Sequence, residues 1–413
     1  MNKKLDHKKY YRLPWTLSDN SVAWLEPTKK CNLYCEGCYS DASGKHKSLD
    51  QVKDEVLTFI KLRNFDSMSI AGGDPLTHPD VIEIVRFVAE QGLKPILNTN
   101  GLALTEELLY DLKRAGLVGV TIHIDSKQTR PGWKGKSELE LNELRLHYAD
   151  MIDRVGGIQC GFNSTVYGDT LKYVPELVRW AEKHIDVVNL IVFIAYRAAI
   201  LEKDYDYYAN GKQIDASKVP YFYSDSEELN TNISSYDLYH TIKKEFPDFE
   251  AGAYLGGTVD STSTKWLLTS RIGNKKQIFG YTGPKFVKLI QLLHHIVWGK
   301  YLAYPKRWVN KLGRIILLTG FPLDKGVRKA GWTFLKSLLS KPLNLFRQIH
   351  LQSIMFIQPI DMMPDGQQNM CDGCPDVTLW KGQLVWSCRL EEPLKFGCFV
   401  QTLPKRDLVK EPA

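Results

Sequence analysis

The sequence contains no uninterrupted apolar stretch of the roughly 18 residues that a membrane-spanning helix requires. Residues 1–12 carry five basic residues but no apolar core of signal-peptide length. Together these absences predict a cytoplasmic protein. With 413 residues, of which 44% are hydrophobic, the chain is long enough for a core domain of about 200 residues and one or two smaller units.

Acidic residues are nearly absent between Arg271 and His350, where sixteen lysines and arginines face Asp324 alone. This window carries +15, although the whole chain carries only +7. Apolar residues at helical spacing in 284–298 and 332–350 predict two basic amphipathic helices. Such helices fit peripheral binding to an anionic membrane, on the inner membrane face, or ordinary packing on the core with a solvated basic rim. A nucleic-acid surface is the least favoured reading, because phosphate binding does not require so many aliphatic neighbours.

Three of the eight cysteines lie on one short stretch, Cys31, Cys35 and Cys38, in the spacing CxxxCxxC. Three thiolates can hold three corners of an iron-sulfur cube and leave the fourth iron open, whereas a structural zinc site closes with four ligands. The cysteines therefore favour a metal site in a reducing compartment over a disulfide framework.

Residues 31–38 resemble the signature of the radical S-adenosylmethionine (SAM) superfamily. The resemblance implies a 4Fe-4S cluster whose open iron binds SAM, reductive cleavage of SAM to a 5'-deoxyadenosyl radical, and hydrogen abstraction from an unactivated carbon. It also implies an electron donor of the flavodoxin or ferredoxin type. Gly37, before the third cysteine, departs from the family, which often has an aromatic residue there.

Residues 21–194 alternate between strand-like and helix-like runs, as parallel strands joined by crossover helices do. The predicted strands are 21–27, 67–70, 95–97, 118–124, 158–166 and 187–194, and the predicted helices begin near Leu49, Pro79 and Thr105. The expected fold class is α/β: a partial (β/α)6 radical SAM barrel with a basic helical insertion and a small cysteine-rich C-terminal domain. Such barrels carry their sites at the carboxyl ends of the strands.

The motifs that the resemblance assigns to SAM binding follow these strands. They are Gly72, Gly73, Asp74 and Pro75 after the second strand, Asn98 and Asn100 around the end of the third, His123 and Asp125 at the end of the fourth, and Asn163 on the fifth. The alternative is that the asparagines make only turn contacts and that the histidine is a satisfied, partly buried side chain. No catalytic acid or base is assigned, because the adenosyl radical itself takes the hydrogen.

A second cysteine set lies near the carboxyl end and comprises Cys371, Cys374, Cys388 and Cys398. Apolar runs on either side of Lys381-Gly382 predict a β-hairpin that returns the third cysteine to the first two. The set is similar to the SPASM and twitch extensions of radical SAM enzymes, which implies an auxiliary 4Fe-4S cluster. A four-cysteine zinc site is the alternative, and the identity of the fourth ligand stays open.

The expected domains are 15–215 (the barrel), 216–355 (the basic insertion) and 356–413 (the cysteine-rich unit). The leading functional hypothesis is a radical SAM enzyme with a hydrophobic substrate such as a lipid. A peptide-modifying radical SAM enzyme is the second hypothesis. A non-catalytic zinc or iron-sulfur binding protein is the third.

Overall fold

The computed structural model describes residues 4–40, 42–196, 205–215, 233–320 and 322–405. Within these ranges the α-helices are α1 (Leu49–Leu62), α2 (Val81–Glu90), α3 (Glu106–Arg114), α4 (Leu141–Val155), α5 (Val174–Lys183), α6 (Ser235–Glu245), α7 (Pro284–Trp298), α8 (Gly313–Thr319), α9 (Lys325–Ser340) and α10 (Glu391–Phe396). The strands are β1 (Tyr11–Arg12), β2 (Val22–Leu25), β3 (Thr28–Lys30), β4 (Ser43–His46), β5 (Ser67–Ile70), β6 (Lys94–Thr99), β7 (Gly119–His123), β8 (Gln159–Val166), β9 (Leu190–Ala195), β10 (Tyr205–Ala209), β11 (Lys212–Ile214), β12 (Ala253–Leu255), β13 (Trp266–Asn274), β14 (Gln277–Tyr281), β15 (His350–Ile357), β16 (Asp361–Met362), β17 (Gln368–Asn369), β18 (Val377–Trp380), β19 (Gln383–Trp386) and β20 (Gln401–Pro404).

Six parallel strands form the centre of the molecule in the order β2-β5-β6-β7-β8-β9. All four residues of β5 are buried, as expected for a strand covered on both faces. Ser48 caps α1 in a capping box with Gln51, and Thr105 caps α3. The predicted α/β fold with six strand-helix units is confirmed.

Strands from the later part of the chain extend this sheet. β15 pairs parallel with β9, β13 pairs antiparallel with β15, and β14, β12 and β1 complete the edge. The range 216–355, expected to be largely helical, therefore also contributes β12 to β15 to the sheet. Its first part, residues 216–232, lies outside the described residues.

The two predicted amphipathic helices are present with one difference. The first coincides with α7, which ends at Gly299 in a left-handed conformation. The second was expected over 332–350, but α9 spans Lys325–Ser340 and a short 3-10 turn, Pro342–Leu345, follows it. Pro342 ends the helix because a proline disfavours helical backbone at the residue before it and cannot donate a helical hydrogen bond. In the described part of the chain, no helix has the length and apolar character to cross a bilayer.

The stretch after α7, residues 299–311, crosses the amino ends of the parallel strands, and we call it the floor segment. Asn64, before β5, donates to the Gly299 carbonyl at 2.6 Å, and Lys94, at the start of β6, donates to Ala303. Gln159, at the start of β8, bonds to Pro305. Tyr304 lies beside Ser69 and Thr121 of the sheet, and burial raises its pKa to about 12. The floor segment thus closes the end of the barrel away from the cysteine loop.

The C-terminal part packs beside the barrel. β18 and β19 form an antiparallel hairpin whose turn residues Lys381 and Gly382 both have positive φ. β18 packs on β2, the outer strand of the parallel set, and β20 pairs with β10. The predicted hairpin around Lys381-Gly382 is confirmed.

Candidate active site

The first cysteine loop, residues 31–38, leaves the barrel at the carboxyl end of β2. β3 and β4 pair on either side of the loop. The Glu36 amide donates to the Lys127 carbonyl at 3.1 Å, and the Thr129 amide donates to the Tyr34 carbonyl at 3.0 Å. The loop is therefore fixed to the segment that follows β7, at the end of the barrel where the sequence places it.

The three thiols of this loop lie close to one another. Cys31 and Cys35 are half-buried and Cys38 is exposed. Burial raises the pKa of Cys35, and the charges of Cys38 and Cys31 raise it further. Partial burial also raises the pKa of Cys31. The loop therefore presents three neighbouring sulfurs.

Two amide side chains donate toward these sulfurs. Gln128 Nε2 lies 3.4 Å from Cys35 Sγ and 3.1 Å from the His123 carbonyl oxygen. Asn100 Nδ2 lies 3.6 Å from Cys31 Sγ and 2.7 Å from Asn32 Oδ1. Donors to ligating sulfurs tune an iron-sulfur centre. Gln128 was not among the predicted site residues, although its place three residues after Asp125, at the end of a barrel strand, was the available signal.

Gly72 and Gly73 pack closely against β3, the strand that leads into the cysteine loop. Gly72 has φ of +104°, which favours glycine. The Gly73 amide donates to the Thr28 carbonyl at 2.8 Å, and a Cβ at Gly73 would clash with the Lys30 carbonyl oxygen. The Gly-Gly pair therefore lets β3 approach the turn after β5.

Asp74 is fully buried, and its carboxylate is occupied by hydrogen bonds from neighbouring protein groups. Its carboxylate accepts hydrogen bonds from the Thr99 hydroxyl at 2.8 Å, the Asn100 amide at 2.7 Å and the Leu76 amide at 2.9 Å. Pro75, also buried, begins the short 3-10 helix that Asp74 caps. These bonds join the ends of β5 and β6, so the described contacts of Asp74 are structural.

His123 and Asp125 form a pair at the end of β7. His123 Nε2 lies 2.8 Å from Asp125 Oδ2 and 3.2 Å from Thr165 Oγ1. The other oxygen of Asp125 accepts from the Lys127 amide at 2.9 Å. The structure thus brings both predicted residues to the carboxyl end of the barrel, already bonded to each other.

Buried polar atoms without a protein partner lie on the neighbouring strands. Within the described residues, Asn98 Nδ2 on β6 and Asn163 Oδ1 on β8 have no hydrogen-bond partner. Buried polar groups are normally paired, so such atoms mark a place for a polar ligand. A Cβ on Gly37 would clash with the Tyr167 hydroxyl, so Tyr167 fills the space beside the residue where the family often has an aromatic side chain.

The second cysteine set is brought together in part. The Cys371 and Cys374 thiols are hydrogen-bonded to each other. The pKa of Cys388 is raised mainly by burial and further by the charge of Cys374, so these two side chains are also close. Trp386 Nε1 donates to the Cys371 carbonyl at 2.9 Å. Cys398 follows α10, and no contact with the other three cysteines is described for it. The structure therefore brings together three of the four predicted ligands.

The first cysteine loop has the donors that an iron-sulfur cluster needs. In the part of the chain that the structure describes, no three His, Cys, Asp or Glu side chains converge on a point where one metal ion could be held. A cluster places each cysteine on a different iron, so its sulfurs need not converge. Three neighbouring thiols on one loop, next to buried unpaired amides, fit a 4Fe-4S cluster with bound SAM.

Comparison with known proteins agrees with this geometry. Residues 25–134 match the model of the radical SAM superfamily. The chain contains a radical SAM domain. This domain implies a 4Fe-4S cluster and SAM as cofactors, and it includes the cysteine loop, the Gly-Gly turn and the His123–Asp125 pair.

Relatives resemble the radical SAM domain over part of their length. The chain is 34% identical over 119 residues to the AdoMet-dependent heme synthase of Methanosarcina barkeri, which covers 28% of this chain and 34% of the relative. It is 26% identical over 185 residues to the AdoMet-dependent heme synthase of Oleidesulfovibrio alaskensis, covering 43% and 47%. The chain thus spans a third to a half of the length of these relatives.

Solved structures show a weaker likeness. The structure of histidine-tagged anSMEcpe with bound AdoMet shares 16% identity with a TM-score of 0.39, covering 68% of each chain. SuiB of Streptococcus suis shares 15% identity with a TM-score of 0.39, covering 56% of this chain and 46% of SuiB.

Proposed function

We propose that this protein is a radical SAM enzyme whose SAM-binding cluster is held by Cys31, Cys35 and Cys38. The carrying observation is the loop of three neighbouring thiols at the carboxyl end of a six-stranded parallel barrel. When bound, the cluster and SAM supply a 5'-deoxyadenosyl radical that abstracts hydrogen from the substrate. The chain's own residues then have defined tasks. Gln128 and Asn100 donate toward the sulfurs, while Asn98 and Asn163 offer unpaired polar atoms to SAM.

We place an auxiliary 4Fe-4S cluster at Cys371, Cys374 and Cys388, with Cys398 as the candidate fourth ligand. Support comes from the hairpin that returns Cys388 to the other two and from the burial of Cys371 and Cys374. A zinc site is the alternative for the same ligands. The separate alternative of a non-catalytic protein would require zinc in place of iron at the first cysteine loop as well.

Metal analysis and SAM cleavage decide between these functions. After anaerobic reconstitution, we expect about eight iron atoms per chain, as two four-iron clusters require, and 5'-deoxyadenosine after reduction by a flavodoxin or ferredoxin. The variants Cys31→Ala, Cys35→Ala and Cys38→Ala should each abolish 5'-deoxyadenosine formation. Cys160→Ala, which removes a buried thiol of β8, is the matched control and should keep it. Zinc without iron, or full SAM cleavage by a loop variant, would refute the proposal.

The substrate that we favour is hydrophobic, with lipids as the leading class. Support comes from the apolar and basic surface of residues 284–346, which fits peripheral association with a membrane. The alternative is a peptide substrate. Deuterium transfer distinguishes the two substrate classes. Incubation with a perdeuterated lipid extract should yield deuterated 5'-deoxyadenosine, whereas incubation with a deuterated peptide encoded beside this protein should not. The reverse result would favour peptide modification.

A further inference from the structure

Exposed apolar side chains are concentrated in one region of the surface. Of the 25 large hydrophobic residues that are exposed in the described part of the chain, fifteen lie within residues 284–346. They are Leu292, Leu293, Ile296, Val297, Trp298, Trp308, Ile315, Leu318, Leu323, Trp332, Leu335, Leu339, Leu343, Leu345 and Phe346. Single exposed apolar residues are normal, but a dense set marks an interaction surface.

Helix α7 shows how unusual this surface is. A helix that packs on a core buries an apolar stripe. In α7 the only fully buried residue is polar, Gln291, which bonds to Trp15 and to the Leu302 carbonyl. Ile296, Val297 and Trp298 are each more than 60% exposed. The apolar residues at the end of α7 therefore face outward.

The end of α7 and the start of α8 lie at the amino end of the barrel. The end of α7 meets the start of β5 through the bond between Asn64 and Gly299. α8 begins against Ile349, immediately before β15. The first cysteine loop leaves the opposite, carboxyl end of the strands. The apolar surface and the candidate active site therefore face opposite directions.

The positive charge of residues 284–347 favours a negatively charged partner. Residues 284–347 contain thirteen lysines and arginines and a single acidic residue, Asp324. Asp324 is buried and accepts from the amides of Gly283, Phe286 and Val327, so it does not offset the surface charge. Lys306, Lys311, Lys336 and Lys341 are exposed, and none forms an ion pair with a residue that the structure describes. Among exposed apolar residues, such cations match an anionic lipid surface.

We propose that α7, residues 306–311, α8, the carboxyl half of α9 and residues 341–346 form a docking face for an anionic bilayer. The face lies in the headgroup region with its apolar side chains inserted, and the cysteine loop points away from the membrane. Docking on this face would hold the protein at the membrane surface, but it would not by itself bring the cysteine loop to the bilayer. A second copy of the chain is a poorer occupant, because two faces of the same strong positive charge repel each other.

Vesicle flotation tests the docking face on the full, reconstituted protein. We expect flotation with vesicles that contain phosphatidylglycerol and little or none with pure phosphatidylcholine. Each lysine that contacts the anionic surface contributes roughly a five-fold gain in partitioning. Replacing Lys306, Lys311, Lys336 and Lys341 by Gln should therefore reduce vesicle binding by two orders of magnitude or more. Raising the salt concentration should also weaken vesicle binding by the wild type.

A second variant removes the apolar part. Ile296→Glu, Leu318→Glu, Leu339→Glu and Phe346→Glu together alter four strongly exposed side chains, so the fold should persist. The matched control, Ile60→Glu with Leu139→Glu, changes exposed apolar residues elsewhere and should float like the wild type. Lipids brominated in their acyl chains should quench Trp298 and Trp308, and replacing both by Phe should remove that quenching.

The outcomes are separable from those for the radical chemistry. The flotation-deficient variants should still form 5'-deoxyadenosine from SAM, because none of their changes touches the cysteine loop. Failure of the wild type to float, or equal flotation of the four-glutamate variant, overturns the docking face whatever the SAM assay gives. A dimer that becomes monomeric in that variant, without flotation, would assign the face to a second copy instead.

Discussion

Lys29 Nζ lies 2.6 Å from Glu391 Oε1, and this contact joins the two cysteine-bearing parts of the chain. Lys29 is two residues before Cys31, and Glu391 is three residues after Cys388. The same ammonium lies 2.8 Å from Glu26 Oε2 and 3.2 Å from Ser40 Oγ. Both carboxylates are largely buried, so Lys29 is the positive charge that lets the C-terminal part pack on the cysteine loop.

Replacing Lys29 by Met should lower the free energy of unfolding by about 3 kcal/mol. Two carboxylates would be left without their cation in a largely buried site, and the loss of one partner of a buried pair is strongly destabilising. Urea denaturation measures the change. Lys136→Met, which breaks the exposed pair with Glu140, is the control and should leave the free energy of unfolding nearly unchanged. Equal effects of the two variants would contradict the assigned role of Lys29.

Gly73→Ala should displace the entry to the cysteine loop. The added Cβ clashes with the Lys30 backbone, which cannot move aside as a flexible side chain could. We expect a loss of about 1–3 kcal/mol in unfolding free energy and a reduced iron content after reconstitution. Gly92→Ala is the control, since its added Cβ meets no atom within 4 Å; its positive φ should cost about 1 kcal/mol with full iron content. Normal iron content in Gly73→Ala would count against this explanation.

Gln128→Leu should make the SAM-binding cluster harder to reduce. The amide N–H near Cys35 stabilises the negative charge added on reduction, so its loss lowers the reduction potential. A change of about 1 kcal/mol corresponds to roughly 40 mV for one electron. A redox titration followed by electron paramagnetic resonance provides the measurement. Gln91→Leu, at the opposite end of the barrel beside Asn64, should leave the potential unchanged. An unchanged or higher potential in Gln128→Leu would exclude this role.

His350 should make stability depend on pH between 7 and 5. Burial lowers the pKa of His350, with nearby cations adding to the effect, so below pH 6.5 the unfolded chain binds a proton that the folded chain resists. The free energy of unfolding therefore falls with decreasing pH, by at most about 1.4 kcal/mol per pH unit from this residue. His350→Asn should flatten that slope in urea titrations at pH 7, 6 and 5. Replacing the exposed His147 by Asn should not.

The barrel was predictable because its sequence signals are local. Strand β5 coincides with the predicted residues 67–70, and α1 begins at the predicted Leu49, capped by Ser48. Buried parallel strands are continuous apolar runs, and helix caps mark the starts between them. The positions of the cysteine loop and of the strand-end motifs follow directly from that alternation.

The later strands were not predictable in the same way. β13 contains Arg271, which is fully buried and donates to Gln352 of the neighbouring β15 at 2.7 Å and to the Val178 carbonyl at 2.9 Å. A charged residue in a central strand hides the apolar pattern, and only the distant partner explains its burial. Likewise, Gln128 and Lys29 acquire their roles through contacts with residues far away in the sequence.

The floor segment affects the end of the barrel at which ligands can enter. Because Tyr304 and its neighbours cover the amino ends of the parallel strands, we expect SAM and substrate to enter the described part of the barrel at its carboxyl end, beside the cysteines. Shortening the loop between α7 and α8 would uncover the amino ends of the strands, and water would then reach the barrel interior from that end.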